Sequence, residues 1–151
     1  FYIASEPVKE LDILNEATQT NSKIPAGPFV LRTSINKKEG LMLSLSNNNN
    51  EKVVIGYDLQ SKQFYINRDS SGATGFAKNF TGTHVAPSIS DANVTTLIMY
   101  VDQSSIELFT DGGLTVMTSL MFSSKPYNKI QIQSYTAMKT LTITPLKSTW
   151  K

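Results

Sequence analysis

The chain contains no cysteine and only one histidine, His84, among its 151 residues. These absences exclude disulfides, thiolate metal sites and histidine-rich metal centres. Lys37-Lys38 is the only adjacent basic pair, so no basic stripe marks a nucleic-acid interface. No apolar run approaches the roughly 18 residues of a membrane span. The sequence therefore predicts no cofactor or metal, no nucleic-acid partner and no membrane span.

The composition that remains is that of a globular domain. Hydrophobic residues make up 40% of the chain and charged residues 17%, with a net charge of +2. A chain of this length buries about 70% of its unfolded surface, so it can form a core without disulfides or metals. The opening residues, FYIASEPVKEL, lack a basic region followed by an apolar block. We expect them to be the interior of a longer protein rather than a signal peptide.

Beyond about the first twenty residues, the dominant hydrophobic period is two, which indicates β-strands. About nine segments are rich in Val, Ile, Thr, Tyr and Phe. They are 28–35, 41–46, 52–58, 63–67, 94–102, 105–110, 114–122, 129–134 and 139–146. Turn-forming residues separate them, including the asparagine run 47–50, which we interpret as a hairpin loop. Short strands at this spacing predict a sandwich or a barrel.

The segment 7–17 departs from this pattern. Val8, Leu11 and Leu14 recur at a spacing of three residues. This spacing fits one or two helical turns, or an extended linker that packs alternate residues. We favour a linker with some helical character, which ends at the prolines and glycine of 23–29.

The stretch VDQSSIELFTDGG, residues 101–113, contains three carboxylates and could be a catalytic loop. Asp102 and Asp111 stand beside serines and glycines between strands, where Asp is a turn former. Glu107 lies in mid-strand, where it needs an ion pair or hydrogen bond unless its face is solvated. Leu97 to Val101 is apolar on both faces, which predicts a central strand. His84 is interpreted as a hydrogen-bonded structural residue.

Together these residues resemble the C-terminal module of glycoside hydrolase family 32, the invertases, inulinases and levanases. LIMYVDQSSIELFTDGG is similar to the family's L-R-I-F-V-D-R-S-S-V-E-V-F strand pair and the N-D-G-like turn that follows. GYDLQSKQFYINRDSSG, HVAP and PVKEL resemble three further family stretches, in the family's order. Gln103 replaces the usual arginine, and Ser123 stands where proline is common.

The resemblance implies an all-β fold, a two-sheet antiparallel β-sandwich of concanavalin-like, jelly-roll type. It also implies two parts: residues 1–24 as a linker leaving a catalytic β-propeller, and residues 25–151 as the sandwich module. The family's catalytic residues lie on the propeller, in W-x-N-D-P-N-G, R-D-P and E-C motifs. This chain has no Asp-Pro pair and no cysteine, so no catalytic residue carries over.

Three functions follow from the resemblance. The leading one is a non-catalytic module that packs on the propeller of the same polypeptide, with interdomain contacts at Phe1, Tyr2, Ile3 and Val8. The second is a carbohydrate-binding module for fructan or sucrose-type sugars, and the third is an element that forms homo-oligomers. Candidate sugar contacts are the aromatic residues Tyr57, Phe64, Tyr65, Tyr127 and Trp150, although aromatic residues in strands more often pack in the core or at an interface. Fructan-cleaving members are often secreted or periplasmic, so those locations are favoured over the cytoplasm.

Overall fold

The computed structural model describes residues 1–18, 23–133 and 140–147. Within these residues, ten β-strands form two antiparallel sheets. In chain order they are β1 (Phe29–Asn36), β2 (Leu41–Ser46), β3 (Lys52–Asp58), β4 (Gln63–Ser70), β5 (Thr83–Pro87), β6 (Val94–Val101), β7 (Ser105–Thr110), β8 (Thr115–Leu120), β9 (Lys129–Gln133) and β10 (Leu141–Pro145). The first sheet has the order β10-β1-β6-β7-β8, and the second has the order β5-β4-β3-β2-β9. The predicted two-sheet antiparallel sandwich is confirmed.

The core lies between the inner faces of the two sheets. Successive residues of a strand point to opposite faces, so the period-two pattern sends every second side chain inward. In β6, Leu97, Met99 and Val101 are buried, whereas Ile98 and Tyr100 are half-buried on the outer face. β6 is the middle strand of the first sheet, as its two apolar faces predict.

Strand β5 is the element that the sequence analysis missed. It pairs with β4 from Asn67↔Thr83 to Gln63↔Pro87 and forms one edge of the second sheet. Its sequence, THVAP, is short and ends in a proline, which weakens the strand pattern. Proline is tolerated here because an edge strand needs hydrogen bonds on one side only. His84 is half-buried opposite Ile66 within this strand.

Residues 5–16 form a strap across the outer face of the first sheet. The Ser5 amide donates to the Gly113 carbonyl at 2.9 Å, and the Glu16 amide donates to the Pro145 carbonyl at 2.9 Å. Between these ends lies a six-residue 3₁₀ helix, Lys9–Leu14, so the predicted helical character of this segment is confirmed. The groove under the strap reaches Ile98, Tyr100 and Phe109, which explains the apolar outer face of β6. No helix in the described ranges is long and apolar enough to cross a membrane.

Gly113 holds the first end of this strap. Its φ is +83°, and a Cβ added there would lie 2.3 Å from the Ser5 carbonyl oxygen. Any other residue would therefore meet both backbone strain and a steric clash. Glycine at this position lets the strap approach the β7–β8 turn closely enough to form its hydrogen bond.

Candidate functional site

A buried carboxylate lies at the centre of the Asp111 cluster, formed by Lys37, Ser88, Ile89, Ser90 and Asp111. The Asp111 side chain is fully buried, and its Oδ2 accepts hydrogen bonds from Ser88 Oγ at 2.6 Å, Ile89 N at 2.8 Å and Ser90 N at 3.1 Å. Its Oδ1 lies 3.2 Å from Lys37 Nζ, which also donates to Ser88 Oγ and the Ser90 carbonyl. Four donors therefore surround one carboxylate.

The Asp111 cluster joins the ends of the two sheets. Lys37 follows β1, and Asp111 follows β7, both in the first sheet, whereas Ser88 to Ser90 follow β5 in the second sheet. Nearby, Thr115 Oγ1 of β8 donates to the Pro87 carbonyl of β5 at 2.8 Å. Asp111 has a positive φ of 53° and forms a turn, which confirms the prediction for this residue. Sequence reasoning missed the cluster itself, because its partners lie between 21 and 74 residues away along the chain.

The charge on Asp111 is stabilised by these donors. Burial alone opposes ionisation. The hydrogen bonds from Ser88 and Ser90 and the charge of Lys37 outweigh burial, so the pKa of Asp111 lies below its ordinary value. A carboxylate held in this way remains ionised near neutral pH and fixes the surrounding turns.

The other polar residues singled out from the sequence also have structural surroundings. Asp102 caps its own turn, since its Oδ1 accepts from the Gln103 amide at 2.7 Å, which confirms the turn prediction. Glu107 is exposed and lies opposite Tyr100 in the sheet, so of the two alternatives for this residue the structure agrees with the solvated face. The asparagine run forms the β2–β3 turn, where Asn50 has a φ of 60° and Asn47 donates to the Lys125 carbonyl.

Most of the predicted sugar contacts lie in the core. Tyr57 and Phe64 pack against each other with ring centroids 5.0 Å apart, and Phe64 is fully buried. Tyr127 is also buried and donates its hydroxyl to the Ser71 carbonyl at 2.8 Å. Burial raises the pKa of Tyr127. These three rings are buried, as aromatic side chains in strands usually are, and Trp150 lies outside the described residues.

Tyr65 is the one described candidate that stays on a surface. It is half-buried on the outer face of the second sheet. There it lines a groove of about 570 Å³ that spans β2 to β5. Burial, followed by the negative charge of Asp58, raises the pKa of Tyr65, so its hydroxyl stays protonated near neutral pH. A ring with an apolar face and a hydroxyl donor is thus presented to this groove.

The residues predicted to contact another domain are all exposed. Phe1, Tyr2 and Ile3 lie just before the strap, and Val8 lies within it. A second exposed apolar set lies on the outer face of β8, an edge strand, at Val116 and Leu120 and continues to Phe122. Since Ser5 is bonded to Gly113, two residues before β8, the two sets begin at the same end of the sheet.

Glycosidases hydrolyse their substrates with a pair of carboxyl groups. Such a pair needs one carboxyl that keeps its proton near neutral pH, which requires a raised pKa. Hydrogen bonding, first from Asn47 and then from Ser124, lowers the pKa of Glu51, and the Ser61 amide lowers that of Asp58. Glu6 and Asp12 share the groove under the strap, but both are exposed and Arg32 lies in the same groove. In the described ranges, no group of three or more potential ligands is placed to hold a metal ion.

Comparison with known proteins links this arrangement to one family. Residues 7–147 match the family described as "Glycosyl hydrolases family 32 C terminal". The chain is 30% identical over 111 residues to the extracellular exo-inulinase of Aspergillus awamori, covering 70% of the chain and 21% of that protein. It is 32% identical over 105 residues to the levanase of Bacillus subtilis, covering 67% of the chain and 16% of that protein. The chain therefore spans only a small part of these relatives.

Solved structures share the fold. The exo-inulinase of Aspergillus awamori superposes with a TM-score of 0.81 and 22% sequence identity, over 99% of this chain and 33% of that one. The sucrose-6-phosphate hydrolase of Lactobacillus gasseri gives a TM-score of 0.78 and 22% identity, over 96% of this chain and 31% of that one. Both comparisons place the same β-sandwich within a longer polypeptide.

Proposed function

The chain belongs to the C-terminal domain family of glycosyl hydrolases family 32, and on this premise we propose that it is a non-catalytic module that packs against a catalytic β-propeller of the same polypeptide. The parent enzyme would hydrolyse β-fructosidic bonds, in line with the relatives named exo-inulinase and levanase. The chain covers only 21% and 16% of those relatives, which leaves the length of a catalytic domain outside it.

One observation carries the docking proposal. Phe1, Tyr2 and Ile3 are three consecutive large apolar residues, and all three are exposed. Single exposed apolar residues are common on protein surfaces, but a contiguous set marks an interaction site. We call these residues, together with Val116 and Leu120 of β8, the seam surface.

The seam surface is attached to a well-anchored part of the fold. The Ser5–Gly113 hydrogen bond fixes the strap beside the start of β8, and the Asp111 cluster fixes the turn that contains Gly113. A partner seated on this surface would contact residues that adjoin a hydrogen-bonded part of the fold. Interfaces between domains of one chain commonly bury about 600–1,500 Å², so this edge would have to supply several buried apolar side chains.

The non-catalytic part of the proposal is supported by the carboxylates. The buried one, Asp111, is fully occupied by four donors, and the resolved shifts of the carboxyl pKa values are downward. The expected result is that the purified 151-residue chain releases no fructose from sucrose, inulin or levan. Fructose release that co-purifies with the chain through successive columns would contradict this part.

Docking is tested in the full polypeptide that carries this chain. Ile3→Asp and Leu120→Asp each place a charge in the proposed interface, and each should lower the unfolding temperature of the catalytic domain by several degrees. This follows because burying one large apolar side chain contributes about 1.5–3 kcal/mol. Leu59→Asp is the matched control, since Leu59 is 50% exposed in the turn between β3 and β4.

Two results would overturn the docking proposal. The first is equal unfolding temperatures for the seam variants and the Leu59 control. The second is a concentration-dependent doubling of mass in light scattering of the full polypeptide that Leu120→Asp abolishes, because the surface would then join two copies.

We also infer a secreted or periplasmic location from the relative named an extracellular exo-inulinase. Recovery of the native polypeptide only in the cytoplasmic fraction would contradict that location.

A further inference from the structure

The outer face of the second sheet carries a row of side chains that the docking proposal does not use. The row runs across four strands in register, from Met42 through Gly56 and Tyr65 to Val85. Met42 and Val85 are exposed, with relative exposures of 43% and 56%. Together with Val54, these residues form the floor of the groove of about 570 Å³.

Tyr65 lies along this floor. It is paired directly with Gly56 on the neighbouring strand, and a Cβ added to Gly56 would lie 2.5 Å from both Cζ and the hydroxyl of Tyr65. Neighbouring strands are about 4.8 Å apart, so the ring reaches sideways over β3 instead of standing away from the sheet. One side of the ring is covered by the glycine backbone, and the other side is left to the groove.

Polar side chains stand at both ends of this floor. Gln63 and Asn67 lie two residues before and after Tyr65 on β4, which places each about 7 Å from it along the strand. Asn67 is held in place, since its Nδ2 donates to Thr83 Oγ1 at 2.7 Å and to Asp69 Oδ2 at 2.8 Å. Asp58 is held by the Ser61 amide and hydroxyl, both on Oδ1, which leaves Oδ2 available as an acceptor.

The charge of the groove is balanced. Asp58 lies at the end that contains Gln63, and Lys52 lies at the other end, near Asn67. One negative and one positive group therefore face an apolar centre. This arrangement suits a long uncharged ligand with apolar faces and hydroxyl rims better than an anion, a cation or an apolar peptide. Tyr65 packing on Gly56 by itself would stabilise the sheet, but it gives no reason for an anchored amide, Asn67, at one end and an anchored carboxylate, Asp58, at the other.

We propose that this groove binds an uncharged oligosaccharide, with one sugar ring stacked on Tyr65 and neighbouring hydroxyls bonded to Gln63, Asn67 and Asp58. Aromatic faces combined with a few oriented polar groups are the features that such sites require. The groove lies on the second sheet, whereas the seam surface lies on the first, so the proposal does not depend on domain docking. Binding here would hold the module on a polysaccharide.

The test is a titration of the 151-residue chain with inulin-type and levan-type oligosaccharides at millimolar concentration, followed by NMR. The expected result is saturable shifts of the backbone amides of Val54, Tyr65 and Val85. Tyr65→Phe keeps the ring over Gly56 and should bind within about twofold of the native chain. Tyr65→Leu removes the stacking face and should weaken binding about tenfold.

Gln63→Ala and Gln131→Ala form a matched pair. Both residues lie on the second sheet, but Gln63 lines the groove, whereas Gln131 is exposed on β9 outside it. Gln63→Ala should weaken binding about fivefold through one lost hydrogen bond, and Gln131→Ala should leave it unchanged. If Tyr65→Leu does not fold, as judged by circular dichroism, the glutamine pair carries the test.

Three outcomes would overturn the proposal. These are no saturable shifts with either oligosaccharide, shifts confined to residues outside the groove, or equal affinities for Gln63→Ala and Gln131→Ala. Preference for one of the two linkages would support the proposal and identify the ligand more closely. Loss of docking in the seam variants leaves this titration unaffected, so the two proposals fail separately.

Discussion

Replacing Asp111 with asparagine is the sharpest test of how the sandwich is closed at one end. The substitution keeps the size of the side chain and suits the positive φ of 53°, because asparagine tolerates the left-handed region. It removes the charge and replaces one acceptor oxygen with a donor. If the remaining oxygen stays with Ser88, Ile89 and Ser90, the new amide group faces the Lys37 ammonium, which lies 3.2 Å from Oδ1 in the native chain.

The loss of folding stability expected for Asp111→Asn follows from the burial of the Lys37–Asp111 ion pair. The side chains of Lys37 and Asp111 have relative exposures of 8% and 0%. Removing one partner of a buried ion pair typically costs about 3–5 kcal/mol, because the other charge is left buried without a counter-ion. Lys37 keeps Ser88 Oγ and the Ser90 carbonyl as acceptors, so we expect about 3 kcal/mol. For a domain of this size, that lowers the midpoint of thermal unfolding by roughly 6–12 °C.

The measurement is urea unfolding of the native chain, Asp111→Asn, Lys37→Met and the double variant. Lys37→Met should cost less than Asp111→Asn, because the carboxylate keeps three donors. Asp102→Asn is the matched control, since Asp102 is also a turn residue but is exposed, and it should cost at most about 0.5 kcal/mol. A loss below about 1 kcal/mol for Asp111→Asn, or strict additivity in the double variant, would refute the coupling.

Two further predictions concern the strap and acid stability. Gly113→Ala should lower the free energy of unfolding by about 2 kcal/mol, because of backbone strain at φ +83° and displacement of Ser5. It should also speed hydrogen exchange of the Ser5 amide. Unchanged exchange would show that the strap is held elsewhere. The pKa of Asp111 is lowered in the folded chain. The ionised Asp111 therefore contributes its full stabilisation of the fold above the unfolded carboxyl pKa of about 3.9, and this contribution is lost as the pH falls below that value. Urea unfolding from pH 6 to pH 2 should therefore show a steeper loss for the native chain than for Asp111→Asn, and parallel curves would contradict this assignment.

Local patterns allowed much of the fold to be predicted. Nine of the strands follow from alternation of apolar and polar residues, and the turns at Asp102, Asp111 and the asparagine run follow from side chains that favour turns. These signals are readable because period-two alternation and positive φ are properties of a few consecutive residues. The family resemblance was equally local, resting on short stretches such as 101–113, and the family match over residues 7–147 confirms it.

The partners of these residues were decided by tertiary structure. Asp111 was recognised as a turn residue, but its four donors come from segments that only the closing of the sandwich brings together. Strand β5 was missed because an edge strand is specified by the strand beside it as much as by its own residues. Phe64 and Tyr65 give the clearest case: adjacency in a strand requires them to face opposite ways. Which ring is buried and which is left on the surface depends on the side where the other sheet packs, and no window of sequence contains that information.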